Sequence, residues 1–372
     1  MESPSRLGLA QMAVLLPNLI FLLPGGVASD QRHRGSWLSF LYLTYLLPLG
    51  IILVALDTGD LTFTVLLLFG VAFGTISAFV QPARESLLGY AAPEIMHQAV
   101  AKVMIVQFIF QGIGYWLAGQ LDIISLPQLL VFQIFIFIIS SILIKRSHPV
   151  PDAADRPVEQ TKTSKHSWRE LGEGLQVFRQ DKSLMHLLMI IFATGFLAFG
   201  VYLVGMPLIA QELYGGGVGL YASLQIVFSV GIVSANFGVM KRSKMFSRPG
   251  RLMIISFLLR GSLVVIIAAV PSMWVLFVVV YIWGFFSGLS MTLGRTILHN
   301  QVSHQVRSRA ASVYQLCLFG GAPLGAWVCG LAVESLGLSL TFIAVAAGTF
   351  SVALLTALFS PLWHVRGGIN KD

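Results

Sequence analysis

The sequence has 372 residues, of which 56% are hydrophobic and 11% are charged, and its net charge is +8. Water-soluble domains carry about 25% charged residues, so this composition excludes an ordinary soluble protein. The positive charge does not indicate a nucleic-acid partner, because no basic domain carries it; anionic lipid headgroups are its expected partner.

Long apolar blocks separated by short polar segments predict membrane-spanning helices. A helix needs roughly 20 residues to cross the hydrocarbon, and the blocks lack the alternation of barrel strands. Because a backbone in lipid must form its own hydrogen bonds, we predict an all-α polytopic membrane protein with eleven spans. In chain order these are 7–23, 37–56, 61–82, 99–121, 127–144, 185–208, 218–240, 252–270, 272–294, 310–333 and 339–360.

Lys and Arg residues set the predicted orientation, because they crowd alternate loops. The opposite loops, for example those around Asp57, Asp122, Glu212 and Glu334, contain acids and neither Lys nor Arg. By the positive-inside rule the basic side is cytoplasmic, which also places the C-terminus in the cytoplasm.

A polar segment with three prolines divides the chain into predicted domains. Trp168, Leu171, Leu175 and Phe178 share one helical face, so the end of this segment is predicted to be an interfacial helix. The predicted domains are an N-terminal bundle (1–144), a cytoplasmic linker with that helix (145–184) and a C-terminal bundle (185–372).

The two bundles repeat each other at the spacing of 211 residues that separates Arg84 from Arg295. At the same spacing, the helix at 185–208 has its counterpart before Met1. The repeat therefore predicts twelve helices, the first of which precedes the chain. Internal repeats around a binding site are a recurrent plan of transporters.

Residues 25–34 read Gly-Gly-Val-Ala-Ser-Asp-Gln-Arg-His-Arg and follow directly on a predicted helix. This segment resembles the loop signature of the major facilitator superfamily between that family's helices two and three. Segments at 82–85, 173–175 and 307–310 resemble the exporter branch that contains enterobactin and macrolide efflux proteins. The resemblance implies the two-bundle family fold without its first helix, in a bacterial inner (plasma) membrane.

The resemblance also implies a gate on the cytoplasmic side. An Asp at a helix terminus can accept hydrogen bonds from the free N–H groups of a neighbouring helix, and Arg84 is a charge partner for it. The alternative is that the arginines of this loop only set the topology. The predicted gate residues are Asp30, Arg32, Arg34, Arg84 and Arg295.

Glycine-rich stretches occur in the fifth and eleventh helices of the family numbering. In the family, such a stretch with a proline in helix five marks antiporters, but here the proline lies in helix eleven. Antiport is therefore one interpretation, and close packing of helices is the other. The residues are Gly112, Gly114, Gly119, Gly321, Pro323 and Gly325.

Uncharged polar side chains and many Phe residues within the spans are typical of a site for a bulky amphipathic solute. For each polar side chain, a hydrogen bond between helices is the alternative role. Arg260, about nine residues into its span, could bind an anionic group, pair with a helix end or extend to the cytoplasmic interface. The candidates for the substrate cavity are Tyr202, Gln225, Arg260, Tyr281, Ser287 and Gln315.

The predicted function is export of a small amphipathic molecule, such as a siderophore or a drug, by a monomeric proton antiporter that works by alternating access. No enzyme, metal or cofactor motif is present in the sequence. In the exporter branch the proton-carrying acid is commonly on helix one, so no residue of this chain is assigned that role. The alternative is a non-transporting remnant, or a membrane protein that binds or senses a ligand.

Overall fold

The computed structural model describes residues 3–30, 34–91, 96–146, 165–241, 248–302 and 306–364. The chain folds into helices along these segments, and no strand occurs within them. The helices are α1 (Pro4–Asp30), α2 (Arg34–Thr44), α3 (Leu46–Thr58), α4 (Phe63–Ala91), α5 (Met96–Ala118), α6 (Leu126–Arg146), α7 (Lys165–Gln180), α8 (Lys182–Leu213), α9 (Gly217–Lys241), α10 (Pro249–Ala268), α11 (Met273–Gln301), α12 (Arg307–Leu336) and α13 (Leu338–Phe359), followed by a 3₁₀ turn (Pro361–His364).

Among the described residues, nine helical segments are long and apolar enough to cross a membrane, with α2 and α3 counted as one segment. Each of the nine overlaps a span predicted from the sequence. The remaining predicted spans, 7–23 and 99–121, fall on α1 and α5. The prediction of an all-α polytopic membrane protein is therefore confirmed.

One predicted span is interrupted at Tyr45, where α2 ends and α3 begins. Pro48 has no N–H to donate to the carbonyl of Thr44, and its ring crowds that carbonyl. The Tyr45 ring packs against Phe73 and Phe137, with centroids 4.7 Å away in both cases. The proline thus interrupts the helical hydrogen bonding at Tyr45, whose backbone stays helical, and aromatic packing holds this residue in place.

Contacts divide the chain into two compact units, and the smaller comprises Ala10–Ile113 and Gln120–Arg169. Its buried polar contact joins α2 to α6, where the hydroxyls of Ser39 and Ser141 lie 2.7 Å apart. Paired hydroxyls of this kind hold helices together where lipid offers no partner.

The larger unit comprises Met1–Leu9, Gly114–Gly119 and Glu170–Asp372. Phe178 of α7 is fully buried in its core, and the linker helix belongs to this unit from Glu170 onwards. Asp181 then caps α8, because its carboxylate accepts the backbone N–H of Ser183 at 2.7 Å. The domain boundaries predicted at residues 144 and 184 stay a prediction.

Helix α8 contains three π-helical turns, Thr194–Ala198, Val201–Gly205 and Ile209–Leu213. Such turns have i→i+5 hydrogen bonds and occur often at functional sites. Gly195 and Gly200 are five residues apart, the spacing of that bond, and both face backbone carbonyls of α12. The π turns therefore keep the small residues of α8 on one face.

Candidate functional site

Three tyrosines and a glutamine form a group of interacting polar side chains in the larger unit, which we call the tyrosine–glutamine cluster: Tyr115, Tyr202, Tyr221 and Gln225. Tyr221 and Gln225 are one turn apart on α9, and Gln225 Nε2 donates a 2.7 Å hydrogen bond to the Tyr221 hydroxyl. Tyr202, on the second π turn of α8, interacts with the same amide and with Tyr115. The cluster thus places three hydroxyls and one amide side by side.

Aromatic rings line the cluster on the side of Tyr202. The rings of Tyr202 and Phe228 have centroids 4.7 Å apart. Trp283 of α11 meets Phe228 edge to face at 5.5 Å and Tyr202 at 6.4 Å. Each such pair contributes about 0.5–1.5 kcal/mol beyond burial, so these rings form a rigid apolar wall beside the polar groups.

The Gln225 side chain has spare hydrogen-bonding capacity. The residue is 1% exposed, and its buried Oε1 has no hydrogen-bond partner among the described residues. Exchanging the two ends of the amide would leave the nitrogen without a partner instead. A buried polar atom without a partner costs about 1–3 kcal/mol, which a hydrogen bond from a bound solute would offset.

The structure does not bring the other cavity candidates on α11 and α12 to this cluster. Tyr281 is 37% exposed, and Ser287 is half-buried. Gln315 has a buried Oε1 without a hydrogen-bond partner among the described residues. Within the described part of the chain, no hydrogen bond or ring contact joins these three residues to the cluster.

Arg260, the charged cavity candidate, lies in the interior of the larger unit and is 3% exposed. Its Nη2 donates a 3.2 Å hydrogen bond to the hydroxyl of Thr194 on α8. Its guanidinium carbon lies 4.9 Å from the centroid of the Phe257 ring. Arg260 therefore does not extend to the cytoplasmic interface, which was one of the roles left open by the sequence.

The predicted cytoplasmic gate is described only in part. The side chains of three gate residues lie outside the described residues: Asp30, Arg32 and Arg34. Arg84 donates a 3.2 Å hydrogen bond to Gln81 on the same helix, and Arg295 is exposed. The gate stays a prediction.

The glycines predicted in α5 differ in their surroundings. A Cβ at Gly112 or Gly114 would meet no described atom within 4 Å, whereas a Cβ at Gly119 would lie 3.0 Å from Cβ of Ala222 on α9. Of these three glycines, only Gly119, which directly follows the last residue of α5, is in close contact with another helix in the described structure.

The glycines predicted in α12 pack against the backbone of α8. A Cβ at Gly321 would lie 2.7 Å from the backbone nitrogen of Phe196, and one at Gly325 would overlap the carbonyl of the same residue. A Cβ at Gly200 of α8 would in turn lie 2.5 Å from the carbonyl oxygen of Gly325. Pro323 is buried between these glycines, so this segment serves close packing.

Sequence analysis missed four residues of the site. Tyr221 carries a signal that could have found it, because it is four residues before Gln225 on one helix and such residues are neighbours. Tyr115, Phe228 and Trp283 carry none, because their roles depend on contacts between helices.

Comparison with family models gives one match, the Major Facilitator Superfamily, over residues 2–251. Comparison with curated protein sequences gives no match.

Several solved structures have a similar fold. The nucleoside transporter NupG is 12% identical over 95% of this chain and 90% of that chain, with a TM-score of 0.70. The xylose transporter XylE from E. coli, in an inward open conformation, is 13% identical over 96% and 86%, with a TM-score of 0.70. A bacterial homolog of the human lysosomal transporter Spinster, in an inward-facing and unoccupied conformation, is 16% identical over 97% and 90%, with a TM-score of 0.68. At these identities the likeness shows the fold alone.

Proposed function

Because the chain belongs to the major facilitator superfamily, we propose that it is a secondary active transporter that exports a small amphipathic molecule by alternating access. A siderophore or a drug-like compound fits this description. The tyrosine–glutamine cluster is the proposed solute-binding site.

The main support for this proposal is the buried Gln225 Oε1, which has no hydrogen-bond partner among the described residues and lies beside an aromatic wall. The wall formed by Tyr202, Phe228 and Trp283 offers apolar contact to a flat or bulky solute. The amide and the neighbouring hydroxyls offer a few hydrogen bonds that would fix its orientation. Sites of this composition bind ligands that are mostly apolar and carry a few polar groups.

The proposal also specifies the direction of transport, which is export, and its coupling, which is proton antiport. Export is supported by the segments at 82–85, 173–175 and 307–310, which resemble the enterobactin and macrolide exporters. Antiport is the interpretation that the family resemblance gives to the glycine-rich stretches at 112–119 and 321–325, the second of which also serves close packing. We further propose that the protein works as a monomer in a bacterial inner membrane with its C-terminus in the cytoplasm, as the distribution of Lys and Arg predicts.

The proposal is tested by transport into everted membrane vesicles that contain the full chain. Uptake of several amphipathic dyes and siderophores is compared with uptake by vesicles from cells that carry the empty vector. We expect energised uptake of at least one compound and a loss of that uptake when the pH gradient is collapsed. Equal uptake by both vesicle preparations for every compound would contradict the transport function, and uptake that survives the collapse would contradict proton antiport.

A matched pair of variants locates the site. Gln225→Leu removes the buried amide, and we expect it to reduce uptake several-fold. Gln211→Leu makes the same change at an exposed position of α8, and uptake should stay at the wild-type level. If both variants transport equally well, the cluster is not the solute site.

A further inference from the structure

Arg260 is a charged residue held in the apolar interior of the larger unit. It lies in the middle of α10, which runs from Pro249 to Ala268 and is one of the nine helical segments able to cross a membrane. Only 3% of its surface is exposed. A guanidinium at such a place is costly, and it is commonly retained for binding or transport of an ion or a solute.

The described structure satisfies little of the hydrogen-bonding capacity of this guanidinium. The group has five N–H donors and no acceptor. One hydrogen bond, to the Thr194 hydroxyl, occurs in the described structure. The Nε atom is buried and has no partner among the described residues.

The charge of Arg260 also lacks a counterion in the described part of the chain. Arginine stays protonated in proteins, yet none of the sixteen acids of the sequence lies within a predicted membrane span. The titratable group that interacts with Arg260 is Tyr314 of α12, and a phenol is neutral at pH 7. Burying a charge without a partner is strongly unfavourable, so an anion would stabilise this site.

We propose that Arg260 is the anchor of an anion-binding site within the larger unit. Its N–H donors that have no partner among the described residues, together with the hydroxyl of Thr194 beside it, fit a monovalent anionic group that accepts hydrogen bonds. That group is either an inorganic anion such as chloride or the carboxylate of an organic solute. The second source rests on the transport function proposed above, whereas the first does not.

The experiment measures thermal unfolding of the purified full-length protein in detergent, followed by tryptophan fluorescence. The probes are chloride and benzoate, each titrated against the bulky sulfonate MES at constant ionic strength, and benzamide is the neutral analogue of benzoate. We expect at least one of the two anions to raise the unfolding temperature with saturation, and benzamide to have no effect. Ligands that bind only the folded state stabilise it in this way.

Two variants separate a binding role from a structural one. Arg260→Gln should lose the anion-dependent shift, with an apparent dissociation constant at least about tenfold higher, which corresponds to about 1.4 kcal/mol. In MES alone it should unfold at the wild-type temperature or above, because an uncompensated charge has been removed. Arg248→Gln, at an exposed arginine before the same helix, should keep the wild-type shift.

A shift with chloride alone supports an inorganic anion, and a shift with benzoate alone supports the carboxylate of a solute. No shift with either anion, or the same shift in Arg260→Gln, would overturn the proposal. If Arg260→Gln does not fold, Arg260→Lys keeps the charge with fewer donors, and an unchanged anion response in that variant would overturn it as well. Because the readout is binding, it is independent of the transport assay.

Discussion

Glu173 of α7 and Arg309 in the first turn of α12 form an ion pair, with Oε2 and Nη1 2.6 Å apart. Gly174 lies beside this pair, and a Cβ there would come within 2.7 Å of the Arg309 carbonyl. The linker helix is therefore fastened to α12 both by charge and by close contact of the backbones.

The ion pair should make a modest contribution to stability, because both side chains are more than a third exposed. We expect a double-mutant cycle of Glu173→Gln and Arg309→Gln to give a coupling free energy of about 0.2–1 kcal/mol at low salt. The coupling should shrink at high salt, because exposed charges are screened. Thermal unfolding of the purified protein measures both values, and a coupling of zero at low salt would contradict the expectation.

The close contact at Gly174 should matter more than the ion pair. In Gly174→Ala the new Cβ would meet the Arg309 carbonyl and, at 2.9 Å, a methyl group of Val313. Overpacking of this kind costs about 1–3 kcal/mol, so we expect a lower unfolding temperature. The control is Gly172→Ala on the same helix, where a Cβ meets no described atom within 4 Å. There the better helix propensity of Ala should leave stability equal or higher, and equal unfolding temperatures in both variants would refute the packing argument.

The internal repeat supplies a second matched pair, because Gly114 and Gly325 are 211 residues apart. Gly325→Ala places a Cβ on the Phe196 carbonyl and should reduce the yield of folded protein, at a cost of about 1–3 kcal/mol. At Gly114 a Cβ meets no described atom within 4 Å, so Gly114→Ala should fold normally. Size-exclusion chromatography in detergent measures the yield of each, and loss of folded protein in Gly114→Ala would show a packing role that the described contacts do not contain.

The sequence was sufficient to predict the helices, because the apolar blocks are long and polar residues punctuate them. It did not predict the break at Tyr45, since a proline in a membrane helix is tolerated in many contexts and the packing of Phe73 and Phe137 is tertiary. The π turns of α8 were also missed. The sequence contains the five-residue spacing of Gly195 and Gly200, but it does not contain the contacts with α12 that show why both glycines lie on one face of α8.

The site was predicted less completely. Tyr202 and Gln225 are cavity candidates because they are polar and lie within spans, and the structure brings them together. Tyr281 is a candidate on the same grounds, yet it is 37% exposed. The polarity of a residue does not show which face of its helix points inwards. Trp283, two residues further on, lines the cluster and is 1% exposed.

The predicted gate leads to a test that does not depend on its described geometry. Asp30→Asn keeps the size of the side chain and removes the charge that would hold a helix end or an arginine. We expect it to reduce transport several-fold without changing the amount of protein in the membrane. Asp57→Asn, at an exposed position in the last turn of α3 on the opposite predicted side, should leave transport unchanged. Equal transport by wild type and Asp30→Asn would contradict the predicted role of Asp30 in the cytoplasmic gate.

The variant Tyr221→Phe tests whether the hydroxyl groups of the tyrosine–glutamine cluster contribute to binding of the solute. Tyr221→Phe keeps the ring but removes the oxygen that accepts a hydrogen bond from Gln225, so the amide is oriented less firmly. A hydrogen bond contributes about 0.5–1.5 kcal/mol, so we expect KM to rise by about two- to tenfold, with a smaller change in the maximal rate. The concentration dependence of vesicle uptake measures both parameters. Tyr281→Phe makes the same change at an exposed residue outside the cluster and should leave KM unchanged. An equal rise of KM in the two variants would mean that the Tyr221 hydroxyl has no specific role in binding the solute.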